Sequence, residues 1–284
     1  MHRPQLNRFL VEDAVRSALK EDLGMAGDLT TEAIIPRDAK LEATVIARKD
    51  GCLAGQDFVL TAMAMMDSSV TAEVLVTDGS KCTAGEELTR LSGPARSILS
   101  AERVGLNFMG RLSGIATTTQ QIIDAVGNLP VRVTCTRKTT PGLRAFEKYA
   151  VRCGGGHNHR FGLFDAVMIK DNHVAAVGGK IGDAIKAARE AVGHLVKIEL
   201  EVDTLEQLEQ ALPFGPDVVL LDNMTPETLK EAVRLVKGRA ITEASGSITP
   251  QTARAYAESG VDVLSLGWLT HSAPNFDVGL DIAF

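Results

Sequence analysis

The chain has 284 residues, of which 45% are hydrophobic, 23% charged and 4% aromatic, and that balance excludes fibrous, disordered and membrane-spanning chains in favour of a globular one. At this length roughly 75% of the unfolded surface is buried on folding, enough for one large or two modest domains around a real core. Thirty basic against 36 acidic residues leave a net charge of -6, which argues against general nucleic-acid binding unless positive charge is gathered in one place.

No apolar run approaches the roughly 18 residues of a membrane span, and the start MHRPQLNRFLVEDAV lacks the apolar core of a signal peptide. The expectation is a cytoplasmic protein with no membrane contact. The four cysteines (Cys52, Cys82, Cys135 and Cys153) form no Cys-x-x-Cys pair and read as reduced, structural thiols.

In chain order, an amphipathic helix is predicted over Val11 to Leu23, alternating strands over Leu41 to Arg48 and Val70 to Val76, and turns at Asp78-Gly79 and Ser92-Gly93. Together they predict a small α+β domain. From Ser97 to Gly127 the pattern is helical, and Gly105, Gly110 and Gly114 are spaced so that another backbone can approach closely. From Val131 onward the rhythm is strand, loop, helix, repeated. Six strands are predicted, at 131 to 136, 164 to 170, 196 to 202, 217 to 223, 240 to 246 and 261 to 268. Their apolar runs suit parallel strands covered on both faces. Thr140-Pro141, Thr225-Pro226 and Thr249-Pro250 each offer a capping hydroxyl followed by proline at the first helical position. Six such units in so short a stretch predict a barrel with fewer than eight strands.

In a parallel βα fold the loops after the strand C-termini form the functional face. The polar residues there are Arg137 and Lys138, Lys170, Glu201, Asp222, Ser245 and Gly246, and Gly267. Between Arg132 and His173 there are eight Lys or Arg and three Asp or Glu, so that segment is +5 and the remainder -11. A positive pocket in an acidic protein selects a small, multiply charged anion. Arg144 and Lys148, on a predicted helix, read as water-facing members of that cluster. Glu201 and Asp222 lie one repeat apart, which places them side by side at one rim, where they serve a Mg²⁺ platform, ribose hydroxyls or a structural ion-pair network. The loops EASGSIT and LGWLTHS set Ser and Gly amides beside a helix start, the usual phosphate position in barrels. In GGGHNHR (154 to 160) the glycines are expected to end a helix and let backbone approach a ligand. His157 and His159 have no companion Cys or carboxylate cluster in the sequence, so zinc is not expected; His159 and Arg160 read as anion ligands. P-loop, dinucleotide and nucleophile-elbow motifs are all absent.

The segments ERVGLNFMGRLSGIATTT, TRKTTPGLRAFEKYAVRCGGGHNHRFGLFDAVMIKDNH, ELEVDTLEQLEQAL, VVLLDNM, EASGSIT and GVDVLSLGWLTHSAP, in this order, resemble the quinolinate phosphoribosyltransferase family across nearly the whole chain. The resemblance implies an N-terminal α/β sandwich domain (1–113) and an incomplete α/β barrel (114–284), with the C-terminal tail free to pack back on the first domain. It also implies transfer of phosphoribosyl from phosphoribosyl pyrophosphate to quinolinate with loss of CO2, in the presence of Mg²⁺. By position, Thr136, Arg137, His159, Arg160 and Lys170 then line the quinolinate pocket, with Arg103 reaching in from the partner of a homodimer; a hexamer is the larger assembly. Lys138, Glu201 and Asp222 match the residues that hold phosphoribosyl pyrophosphate and its magnesium, and Lys138 or Lys170 sits on the departing oxygens. Ser245, Gly246 and Ser247, with Leu266, Gly267 and Trp268, match the 5′-phosphate loops. Two departures stand out: Cys135 where the family commonly has Asp, and Ser247 where a second Gly often follows Ser-Gly. Three rival readings are a molybdenum-locus homologue of the same family, a Schiff-base aldolase built on Lys170, and a sugar-phosphate-binding protein without catalysis.

Overall fold

The structure is a computed structural model that describes residues 5–282. Its strands, in chain order, are β1 (Lys40–Ala47), β2 (Gly51–Cys52), β3 (Thr71–Val74), β4 (Lys81–Cys82), β5 (Glu87–Pro94), β6 (Arg132–Thr134), β7 (Val167–Ile169), β8 (Ile198–Val202), β9 (Val218–Asp222), β10 (Ile241–Ser245), β11 (Val263–Ser265) and β12 (Val278–Ile282). The chain divides into two compact units. The first comprises residues up to Gln120, Ala145–Gly155 and the chain from Ser272; the second comprises Gln121–Arg144 and Gly156–His271.

In the first unit an antiparallel sheet runs in the order β12-β1-β5-β3. The helix Arg8–Leu23 buries Val11, Val15 and Leu19, one residue per turn, and Asn7 caps it by accepting from the Phe9 N–H. The helix Ala95–Val126 contributes its first 26 residues here. Its glycines do form a seam. A Cβ on Gly114 would stand 2.0 Å from the Pro274 carbonyl oxygen, one on Gly110 2.9 Å from the Phe276 carbonyl oxygen, and one on Gly105 3.1 Å from Val59 Cα. Gly154 belongs to the same packing, because its Cβ would meet the Ala116 carbonyl oxygen at 2.3 Å. The expectation that this glycine admits a ligand is therefore corrected: a helix backbone takes the space. Lys148, read as water-facing, is buried, as are Glu147, Phe146 and Tyr149 around it on Arg144–Cys153.

The second unit is a six-stranded parallel sheet in the order β6-β11-β10-β9-β8-β7. Every adjacent pair is parallel, and among the described residues the end strands β6 and β7 do not pair, so the barrel is open. The strands are not apolar on both faces as expected. Val133, Ile169, Ile198, Leu200, Val202, Val219, Leu221, Ala244 and Leu264 enter the hydrophobic core. The residues between them, including Met168, Glu201, Leu220, Asp222, Glu243, Ser245 and Ser265, face a cavity. This is the period-two alternation of a strand whose second face is a polar interior. Of the three Thr-Pro starts only one caps an α-helix: Thr225 accepts from the Thr228 N–H at 3.3 Å and Pro226 opens the helix Pro226–Val236. Thr140-Pro141 opens a turn closed by Leu143 N–H to the Thr140 carbonyl, and after Thr249-Pro250 the helix begins only at Ala253.

Candidate active site

The cavity has a volume of about 350 Å³ and lies where the strands of the second unit end, within the range of small-molecule sites. The sheet delivers its lining in rows. Glu201 on β8 is in register with Leu220 on β9 and Leu220 with Glu243 on β10; Asp222, Ser245 and Ser265 form the next row on β9, β10 and β11. Glu201 and Asp222 thus occupy neighbouring strands, offset by one pleat.

Thr136, Arg137, Lys138, His159, Arg160, Lys170, Glu201, Asp222 and Ser245 all line this one cavity. Thr136 accepts from the Lys138 N–H at 3.0 Å and so shapes the turn that presents Arg137 and Lys138. Arg144, the second cation read as solvent-facing, instead braces this turn: its Nε donates to Thr139 Oγ1 at 2.9 Å and its Nη1 to the Phe161 carbonyl at 3.1 Å. Asp165 holds the loop that carries Arg160 by accepting from the Phe161 and Gly162 N–H groups at 2.6 and 2.8 Å.

Arg160 donates through Nη1 to the Ala166 carbonyl at 3.1 Å, but its Nε and that of Arg137 are buried without a hydrogen-bond partner. Burial, then the like charge of Arg137, pulls the Arg160 pKa below its ordinary value. Two half-buried guanidinium groups whose buried Nε donors are unused in one hollow suit an anion, since a buried unpaired donor costs about 1–3 kcal/mol until something accepts from it. Opposite in sign, Lys170 Nζ is ion-paired with Glu201 Oε2, and the Asn223 amide donates to Asp222 Oδ2 at 2.7 Å. The Lys170 side chain is 43% exposed, unlike the desolvated lysine a Schiff base requires.

Of the two loops expected to hold phosphate, LGWLTHS does set a short helix, Trp268–His271, directly after Gly267, whereas after EASGSIT the next helix begins only at Ala253. Gly246 has φ +102°, and Ser247, at φ +31°, is one of the few non-glycine residues in the left-handed region. Gly267 lies against the cavity wall, where a Cβ would stand 2.8 Å from Lys138 Cδ and 3.3 Å from Thr136 Oγ1. Leu266 is core, and Trp268 is turned aside to donate from Nε1 to the Ile248 carbonyl at 2.7 Å. Gly246, Ser247, Leu266, Gly267 and Trp268 flank the cavity in sequence without lining it. Arg103 belongs to the first unit; its side chain is 62% exposed and lies 3.5 Å from Glu102.

Sequence reasoning missed Met168, Leu220, Glu243 and Ser265 in the lining, and Glu199 beneath it. Glu199 and Glu243 are buried, and both approach His159: Nε2 is 3.0 Å from Glu199 Oε2 and 3.4 Å from Glu243 Oε1. The ligand atoms of all three residues lie within 4.8 Å of one another. Contrary to the expectation from sequence, a carboxylate cluster does accompany His159. His157 is placed by its backbone, which bridges to β6 through Val133 and Thr134. Burial, then the charge of Glu199, raises the Glu243 pKa above the usual carboxylate range, against the lowering effect of His159. The signal was present in IELEV and ITEAS, where a glutamate sits two residues before a rim residue and so on the same strand face.

Fold and site define a class: an open parallel α/β barrel whose C-terminal rim carries a cationic hollow for a small polyanion, with two carboxylates at its edge. Comparison with known proteins narrows it. The model of the quinolinate phosphoribosyl transferase C-terminal domain matches residues 115–281 and that of the N-terminal domain residues 28–113. The chain belongs to this family. It is 43% identical over 275 residues to nicotinate-nucleotide pyrophosphorylase (carboxylating) of Mycobacterium leprae, covering 95% of this chain and 96% of that one. The crystal structure of NadC from Streptococcus pyogenes superposes with a TM-score of 0.94 at 40% identity, over 99% of this chain and 100% of that chain. That of the nicotinate-nucleotide pyrophosphorylase from Francisella tularensis gives 0.92 at 36% identity, over 100% and 99%.

Proposed function

We propose that this chain transfers the phosphoribosyl group of phosphoribosyl pyrophosphate to the ring nitrogen of quinolinate, releasing pyrophosphate and CO2 and leaving nicotinate mononucleotide, a step of NAD biosynthesis. The observation that carries this reading is the pair of buried, unsatisfied Nε–H groups of Arg137 and Arg160 in one cavity, which suits the two carboxylates of the acceptor.

Both substrates are anionic, and a pair of unit charges 4 Å apart at an effective dielectric of 20 is worth about 4 kcal/mol. The cations of the pocket offset that repulsion and let the pyridine nitrogen stand in line with ribose C1. Arg137, His159 and Arg160 hold the acceptor carboxylates, with Thr136 at their edge. Lys138 and Lys170 take the departing pyrophosphate oxygens as C1 gains oxocarbenium-like character. Ser245 and the backbone amides of Gly246, Ser247 and Gly267 hold the 5′-phosphate, while Leu266, packed in the core, and Trp268, bonded to Ile248, frame the loop. Glu201 and Asp222 fit Mg²⁺: each has one oxygen bonded within the protein, and the donor set matches a cation that takes one or two carboxylates and completes its shell with phosphate and water oxygens. When bound there, the ion supplies neutralisation of the leaving group. Once C1–N bonding makes the ring nitrogen positive, the adjacent carbon can release its carboxylate as CO2, keep the electron pair next to N⁺, and take a proton from water. No general acid is needed for that loss.

We further read the active assembly as a homodimer in which Arg103, exposed on its helix, completes the pocket of the second copy, and the protein as cytoplasmic. Four cysteines, none in a disulfide among the described residues, support the last point, and among the described residues no helix is long and apolar enough to cross a membrane. The deciding experiment incubates the protein with quinolinate, phosphoribosyl pyrophosphate and Mg²⁺ and follows nicotinate mononucleotide and CO2, with nicotinic acid as control acceptor. Product from quinolinate alone is expected. Equal use of nicotinic acid, or no pyrophosphate release, overturns the reading.

A further inference from the structure

The cavity has a second layer that the reaction above does not use. Glu199 comes from β8 and Glu243 from β10, the strands on either side of β9, and the two carboxyl groups converge on a single ring nitrogen, His159 Nε2. Both glutamates are about 4% exposed. Glu243 Oε1 has no hydrogen-bond partner although it is buried and turned into the cluster. The other groups acting on the pair are few: Arg160 interacts electrostatically with Glu199, Ser265 from β11 bonds to Glu243, and the β9 residue in register with Glu243 is the apolar Leu220.

One N–H cannot serve two carboxylates at once, and two buried like charges this close are not both kept without compensation. Burial and the charge of Glu199 favour the protonated form of Glu243. We propose that Glu199 and Glu243 are positioning residues for His159: gripping Nε2 from two strands, they fix the ring in the pocket wall as a contact for a carboxylate of the acceptor. The pair sets the placement of a substrate contact without itself touching the reacting atoms. The inference rests on the quinolinate reading for the identity of that acceptor, but the state of the ring is independent of it.

The test uses the full-length protein and the variants Glu199→Gln, Glu243→Gln and Glu243→Ala, each first shown to be folded by its thermal transition. Gln at 243 keeps the shape and hydrogen-bonding capacity of a protonated carboxyl group, so Glu243→Gln should retain at least tenfold more kcat/KM than Glu243→Ala. Glu199→Gln keeps an acceptor but replaces the carboxylate that faces the ring; KM for quinolinate should rise about tenfold or more while KM for phosphoribosyl pyrophosphate stays within twofold. The ¹⁵N resonances of the His159 ring, assigned by their loss in His159→Gln, should shift in Glu199→Gln without any ligand present. Equal damage from Gln and Ala at 243, a rise in both KM values together, or an unchanged ring spectrum in Glu199→Gln overturns the inference. So does a metal ion retained one per chain after dialysis and lost in Glu243→Ala, since that ion would take the lone pairs assigned here to the proton and the ring. If the wild-type protein makes no nicotinate mononucleotide, the substrate reading fails while the ring spectra still decide the positioning claim.

Discussion

Replacing Gly246 with alanine tests whether the loop after β10 is shaped by the backbone conformation that only glycine tolerates. At φ +102° an L side chain is strained, at a cost of about 1–3 kcal/mol. The new Cβ would also stand 2.1 Å from Asn223 Oδ1, far inside the 3.0 Å that such contacts respect. Asn223 must therefore move by about 1 Å, which strains its exposed Nδ2 bond to Asp222 at 2.7 Å; an exposed contact of this kind contributes about 0–1 kcal/mol. The expected loss is about 2–4 kcal/mol of unfolding free energy, a large share of the roughly 5–15 kcal/mol a domain has. Gly238→Ala is the control, because Gly238 has φ +74° but nothing within 4 Å of its Cβ, so it reports the conformational strain alone. Urea unfolding followed by the fluorescence of Trp268, the single tryptophan, reads both. In the folded Gly246→Ala enzyme, KM for phosphoribosyl pyrophosphate should rise more than KM for quinolinate. A loss no larger than that of Gly238→Ala, with both KM values unchanged, would refute the clash and the role of the loop together.

Three further outcomes are expected. Ser247→Gly should raise unfolding free energy by about 1 kcal/mol, because Ser247 sits at φ +31° and glycine removes the left-handed penalty; a urea midpoint that does not rise counts against it. Glu243 has its folded pKa raised above the unfolded value near 4.5, so the native state binds more protons than the unfolded chain in the window from about pH 4.5 upward, and stability falls as pH rises through it. Glu243→Gln should flatten that fall, measured as the difference in unfolding free energy between about pH 5 and about pH 8; a parallel fall in wild type and variant would exclude the buried acid. Mixing Arg103→Ala with Arg160→Ala protein should restore about a quarter of wild-type activity if one intact pocket forms in each mixed dimer and half the dimers are mixed, whereas activity no higher than the sum of the separate variants would mean a self-contained subunit.

Much of the barrel could be read directly. The six strands recur as short apolar runs at regular spacing, and β6 to β11 fall inside the predicted spans because strand formation is a local, periodic preference. The cationic cluster between Arg132 and His173 was also legible, since like charges crowded in sequence stay crowded when successive loops end on one rim. Thr225-Pro226 declared its helix, whereas Thr140-Pro141 and Thr249-Pro250, carrying the same dipeptide, make turns. A cap stabilises a helix only when the residues after it can bury an apolar face, and that depends on the neighbour rather than on the dipeptide.

What residue order determined by itself was the parity of each strand, so that Glu199 and Glu201, or Glu243 and Ser245, had to share a face. Which face would turn inward, and whether it would meet water, core or ligand, was decided only when the helices covered the opposite side. The same holds for Lys148 and Arg144, which look like a solvated helix face in sequence but become a buried residue and a loop brace in the fold. Glu199, Glu243 and His159 lie 40 or more residues apart in sequence in every pairing, and no local pattern can state that they meet. Their charge balance exists only at the distance the closed packing imposes, because electrostatic coupling depends on separation and burial in space and not on position along the chain.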